Sequence, residues 1–180
     1  MDEKRKKDGL GERGATKCPE ALAAISDKKR LELTWDSKGV PTGQNAKTLS
    51  TWIGVCTKLY ANIDLDDFRK LNLTRKKLLL DRIKEAFDIP DCHDRYLLKK
   101  AAGCFRQWKC DIAENHLYVN KETGEMRNDP PVKYSGISED DWNKFKATRV
   151  SERFKAISKR NRDNIGKKES IYYGSRGGYN

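Results

Sequence analysis

The sequence predicts a mainly α-helical fold: a single helical domain of about five helices, with a disordered basic N-terminal arm and a Gly-rich C-terminal tail. Apolar residues recur at spacings of three and four in four separate segments of the 180-residue chain. A helix start is written into the residues around Ser138. Both ends are polar and charged, with no sustained period. Apolar and charged residues each make up 36% of the chain, enough for a core in about two-thirds of it.

Residues 1–30 read as the arm, with a helical turn at Pro19 to Ile25. Leu31 to Trp35 alternates and fits a short strand or an extended segment, and Asp36 to Gln44, with Gly39, Pro41 and Gly43, reads as a loop. Leu49, Trp52, Ile53, Cys56, Leu59 and Tyr60 share one helical face. Leu65, Phe68 and Leu71 fit a short helix or turn. Thr74 is the expected N-cap of a helix that buries Leu78, Leu79, Ile83, Ala86 and Phe87 and ends before Pro90. Asp91 to Asn115 is the longest expected helix, with Leu97, Ala101, Phe105, Trp108 and Ile112 as its stripe and Gly103 as a weak point. Leu117 to Tyr134 fits a small hairpin or irregular chain.

The last helix is expected from Ser138 to Asn161. Ser138 is its N-cap, with Asp141 placed to reach back and Ile137 and Trp142 as a hydrophobic staple. Its stripe is Trp142, Phe145, Val150, Phe154 and Ile157. The expected organisation is therefore an arm over 1–30, a helical domain over 31–162 and a flexible basic Gly-rich tail over 163–180.

The chemistry on offer is sparse. Neither of the two histidines, His93 and His116, has a nucleophile or triad context. Asp64, Asp66 and Asp67, and Glu139 to Asp141, sit where acidic residues cap helices. No catalytic site is expected, and no cofactor. Gly9 to Gly14 fits G-x-G-x-x-G, but a polar run precedes it where the dinucleotide motif needs a buried strand. Five cysteines, an odd number, read as reduced thiols. Cys104 and Cys110 are six residues apart on a helix, so they point in different directions and do not suggest a zinc site. Trp52, Trp108 and Trp142 lie in apolar stripes and read as core, whereas Trp35 is also a candidate base-stacking platform.

Charge points to a partner. There are 38 Lys and Arg against 27 Asp and Glu, a net charge of +11, which favours polyanions. No secretory signal or membrane span is apparent from the sequence, and Lys4, Arg5, Lys6 and Lys7 form a nuclear-import candidate, so the expected compartment is the nucleus, with the cytoplasm as the alternative. The nucleic-acid-binding candidates are Arg149, Arg153, Lys155, Lys159, Arg160, Arg162, Lys167, Lys168 and Arg176. Arg149, Arg153 and Arg160 recur at spacings of four and seven, opposite or beside the Val150, Phe154 and Ile157 stripe, and the basic run leads into Tyr172 to Tyr179, where aromatics alternate with Arg and Gly. DNA is the expected partner, with RNA as an alternative polyanion. A protein-interaction module, including self-association, is the competing reading.

Several segments, in order, resemble the plant transposase family called Ptta/En/Spm. They include Gly43 to Ala46 leading into Leu49 to Gly54, Asp66 to Arg69, and Ile83 to Pro90. Ala101 to Lys109, Pro130-Pro131, Ile137 to Phe145, Ser151 to Phe154, Ser158 to Asn161 and Gly174 to Tyr179 follow. The resemblance covers roughly residues 31–179. It implies a plant protein encoded by, or descended from, a CACTA-type DNA transposon, with a helical region that associates with element DNA. It implies no catalytic residue in this region.

Overall fold

The computed structural model describes residues 17–120, 122–134 and 136–166. Six α-helices are found among them: α1 (Pro19–Ser26), α2 (Ala46–Tyr60), α3 (Leu73–Ala86), α4 (Asp94–Asn115), α5 (Glu139–Val150) and α6 (Glu152–Gly166). Two small antiparallel hairpins interrupt them. β1 (Thr34–Trp35) pairs with β2 (Pro41–Thr42) between α1 and α2, and β3 (Tyr118–Asn120) pairs with β4 (Glu125–Met126) after α4.

The 22-residue α4 supplies the centre of the core. Leu97, Ala101, Phe105, Trp108 and Ile112, the stripe read from the sequence, are all buried. Gly103 does not break the helix, because the packing of that stripe outweighs the roughly 1 kcal/mol a mid-helix glycine costs. α2 lies along α4 with Leu49, Trp52, Ile53 and Cys56 buried, and α3 packs against both with Leu79, Ile83 and Ala86. α5 closes the core with Trp142 and Phe145, both 0% exposed. The Trp52 indole donates to the Arg82 carbonyl at 3.2 Å and that of Trp142 to the Arg127 carbonyl at 3.3 Å. Two of the core tryptophans thus satisfy their polar edges.

The structure departs from the sequence reading at several element ends. The helical turn expected at Pro19 to Ile25 is present as α1, but residues 17–30 around it are not a disordered arm: Cys18, Ala21 and Ala24 are buried and α1 packs on α2 and α3. Its stripe consists of small residues, so burial is achieved by close approach rather than by bulk, and no large-residue periodicity advertises it. Residues 1–16 lie outside the described residues. α3 starts at Leu73, capped by Asn72 rather than Thr74, and the Asn72 side chain accepts from the Arg75 amide at 2.8 Å. Leu59 and Leu78, expected inside, are 64% and 47% exposed.

The largest departure is in the last helix, which is two. Ser138 caps α5 as expected, accepting from the Asp141 amide at 3.1 Å, but the Asp141 carboxylate accepts from Asn62 instead of reaching back. α5 then stops at Val150. Ser151 is extended (φ −62°, ψ 143°), its hydroxyl lies 2.7 Å from the Thr148 carbonyl, and it accepts from the Phe154 amide at 3.2 Å. It therefore ends one helix and caps the next. α6 runs to Gly166 and includes residues 163–166, which the sequence reading gave to the tail.

α1 ends in a Schellman turn. The Lys29 amide donates to the Ala24 carbonyl at 3.0 Å and the Lys28 amide to the Ile25 carbonyl at 3.2 Å. The left-handed position of that turn is filled by Lys28 at φ +53°, where a Cβ is unfavourable. Lys28→Gly is therefore expected to stabilise the protein by about 1 kcal/mol in urea denaturation. Equal or lower stability would contradict the assignment of strain.

Candidate nucleic-acid interface

Of the nine basic residues singled out near the C-terminus, six fall within the described residues. Lys167, Lys168 and Arg176 lie outside them, as do Lys4, Arg5, Lys6 and Lys7 and the Gly9 to Gly14 match. The break at Ser151 separates the six into one residue on α5 and five on α6.

Arg149 is the odd one out. Its guanidinium lies between two aromatic rings, 4.9 Å from the centroid of Phe145 and 4.6 Å from that of Phe154, and it donates to the Lys109 carbonyl at 3.0 Å. Arg149 is half-buried, and burial lowers its pKa from the ordinary arginine value. Its charge serves the junction of α4, α5 and α6 rather than the solvent face.

The remaining five are all exposed, as is most of α6: no residue in it is buried. At about 100° per residue, Phe154, Ile157, Ser158, Asn161 and Ile165 form one front. Arg153 and Arg160 flank that front on one side and Lys155 and Arg162 on the other, with Lys159 on that second side but farther round, about 20° from Glu152. The cations therefore do not form a single face opposite the apolar stripe. They border it on both sides, and the two carboxylates of the helix, Glu152 and Asp163, lie at the back. Lys155 pairs with Glu152 at 2.8 Å. Arg153, Lys159, Arg160 and Arg162 make no ion pair among the described residues.

The other candidates are occupied with each other. Trp35 stacks on His93 with ring centroids 3.6 Å apart and planes 4° apart, and meets Tyr96 edge-on at 5.7 Å. One face of the proposed base platform is thus already taken. His116 lies edge-on to Tyr134, whose hydroxyl donates to Asp111 at 2.9 Å. Cys18 and Cys56 are buried, Cys104 is half-buried, and Cys92 and Cys110 are exposed. Among the described residues no three His, Cys, Asp or Glu side chains converge to hold a metal ion, and no helix is long and apolar enough to cross a membrane.

Sequence reasoning missed Lys109. It is only 9% exposed, its ammonium donates to the Leu65 carbonyl and it lies 5.3 Å and 5.6 Å from the Phe105 and Phe145 rings. Burial first, and then the charge of Arg149, pulls its pKa down to about 8, against the opposing pull of Asp66 and Asp64. The only signal in the sequence is its position, three and four residues from buried Ile112 and Phe105. Exposed Arg95, Lys99 and Arg106 on α4 were also passed over, because a single helical segment showed its apolar period more strongly than its charge.

A lysine whose folded pKa lies below its ordinary 10.5 binds fewer protons folded than unfolded between those values, so stability rises with pH across that window. Cys56, pushed up to about 12 by burial, works the other way above its ordinary value of 9.0, so the comparison needs a variant that shares it. Relative to Lys109→Met, the wild type is expected to gain up to about 3 kcal/mol between pH 8 and 10.5 in urea titrations. Parallel pH profiles would contradict a buried, destabilised ammonium. Comparison of the chain with family models, curated proteins and solved structures found no match.

Proposed function

We propose that this chain is a non-catalytic, nuclear DNA-binding protein associated with, or descended from, a CACTA-type transposon, and that α6 is the helix that meets the duplex. The observation carrying this reading is the double cationic border of α6. A helix about 10–12 Å across matches a major groove about 12 Å wide. Seated there front-first, it would bring Arg153 and Arg160 to one phosphate wall and Lys159 and Arg162 to the other. Asn161 and Ser158 would face base edges, where an amide side chain reads adenine. Ile157 and Ile165, the exposed apolar members of the front beyond the junction, suit thymine methyl groups. The resemblance of Ser151 to Phe154 and of Ser158 to Asn161 to the transposase family supports the same end of the molecule.

The exposure of Ile157 and Ile165, 38% and 68%, favours a second reading, a partner helix laid on the α6 front. The two readings separate on different substitutions. The DNA reading expects duplex affinity to fall with log salt at a slope of about −4 or steeper, and Gln at Arg153, Lys159, Arg160 and Arg162 to flatten it by about 3 to 4. Fluorescence anisotropy measures both. No duplex binding at low salt by the folded protein, with partner capture lost on Ile157→Ser and Ile165→Ser, would replace it by the interaction reading.

A further inference from the structure

We infer that α4 presents a second row of phosphate-contacting cations, Arg95, Lys99 and Arg106, on the side of the helix turned away from the core, and that duplex DNA lies along it. This rests on the nucleic-acid reading of α6 and extends it to the folded body.

At about 100° per residue the three side chains fall within about 40° of one another, while the buried stripe of α4 occupies the other side. All three are exposed. At 1.5 Å per residue the row is about 16 Å long, the rise of about five base pairs at 3.4 Å each. Between Lys99 and Arg106 the face carries Ala102 and Gly103. A Cβ added at Gly103 would stand 4.0 Å from Arg106 Nη2, so the guanidinium lies over the residue that has no side chain. Ala102 and Gly103 thus put no bulky side chain between the cations of the row.

Neighbouring cations are neutralised where they stand: Arg69 by Asp67 at 2.7 Å, Lys70 by Asp66 at 2.9 Å. The α4 row is not. None of its three members makes an ion pair among the described residues. The carboxylates of α4 are committed or distant: Asp94 pairs with Lys84 at 2.6 Å and Asp111 accepts from Tyr134, while Glu114 lies two turns beyond Arg106. Asp67, whose pKa is lowered chiefly by its hydrogen bonds from Arg69, feels Arg106 only as the weakest contribution. Arg95 and Lys99, like charges four apart, work against the helix. Helix stability therefore does not explain the row, whereas a polyanion does.

The test is a triple substitution in the full chain, Arg95→Gln, Lys99→Gln and Arg106→Gln, titrated by anisotropy with a labelled duplex of about 20 base pairs over a salt series. The control removes the same charge at Lys28, Lys29 and Arg30, exposed residues just past the C-terminal end of α1. The α4 triple is expected to flatten the salt slope by about 2 to 3 with an unchanged circular-dichroism spectrum, and the control by less than about 1. The three single substitutions, each expected to remove about 0.9 of slope, keep the question open to measurement should the triple fold poorly. Equal slopes for the α4 triple and the control overturn the row while leaving α6 in place. A wild type that does not bind duplex at low salt overturns both.

Discussion

The burial of one side of α4 against α2, α3 and α5 is the contact on which the remaining structure hangs. Phe105 and Ile112 are essentially solvent-free, and Trp52, Ile53, Ile83 and Phe145 complete the cluster around them. At about 1.5–3 kcal/mol for each fully buried large side chain, this cluster outweighs the surface ion pairs among the described residues, which are worth at most about 1 kcal/mol each. Fixing that side of α4 also fixes the opposite one. The same register that buries Leu97 and Phe105 leaves Arg95, Lys99 and Arg106 facing solvent in a line.

The junction at Ser151 governs α6. The Arg149 guanidinium holds Phe145 and Phe154 together and anchors on the Lys109 carbonyl. Beyond Phe154 the helix has no core to lie on. At Ser151 the hydroxyl accepts from the Phe154 amide and the carbonyl from the Lys155 amide, so α6 leaves α5 with its first turn partly capped. Lys109, buried beneath the junction, destabilises the fold below its depressed pKa, so this region retains a charge that hydrophobic packing alone would not select.

Much of the helical fold was legible in the sequence because large apolar residues mark it: the α2 and α4 stripes, the end of α3 before Pro90 and the Ser138 cap all follow from spacing and cap chemistry. The elements that the sequence understates share a cause. α1 shows there as no more than a helical turn at Pro19 to Ile25, because Ala21 and Ala24 are too small to stand out, and the Ser151 break is hidden because Val150, Phe154 and Ile157 keep spacings of four and three across it. Asn72 took the cap expected of Thr74 because both residue types suit the position and only the backbone decides. For the candidate interface, sequence identified the five α6 cations but not their arrangement on two borders. Nor could it show that Arg149 is enclosed by rings, which depends on the turn at Ser151 bringing Phe154 of α6 back onto it beside Phe145 of α5.

The most direct measurement is an amide NMR titration of the isotope-labelled full-length chain with a short DNA duplex at low salt. Shifts concentrated at Arg95 to Arg106 on α4 and at Arg153 to Arg162 on α6, with α1 and the β1–β2 hairpin unmoved, are the expected result. A folded spectrum that duplex leaves unchanged, or shifts scattered evenly over all exposed lysines and arginines, would contradict a defined DNA-facing surface.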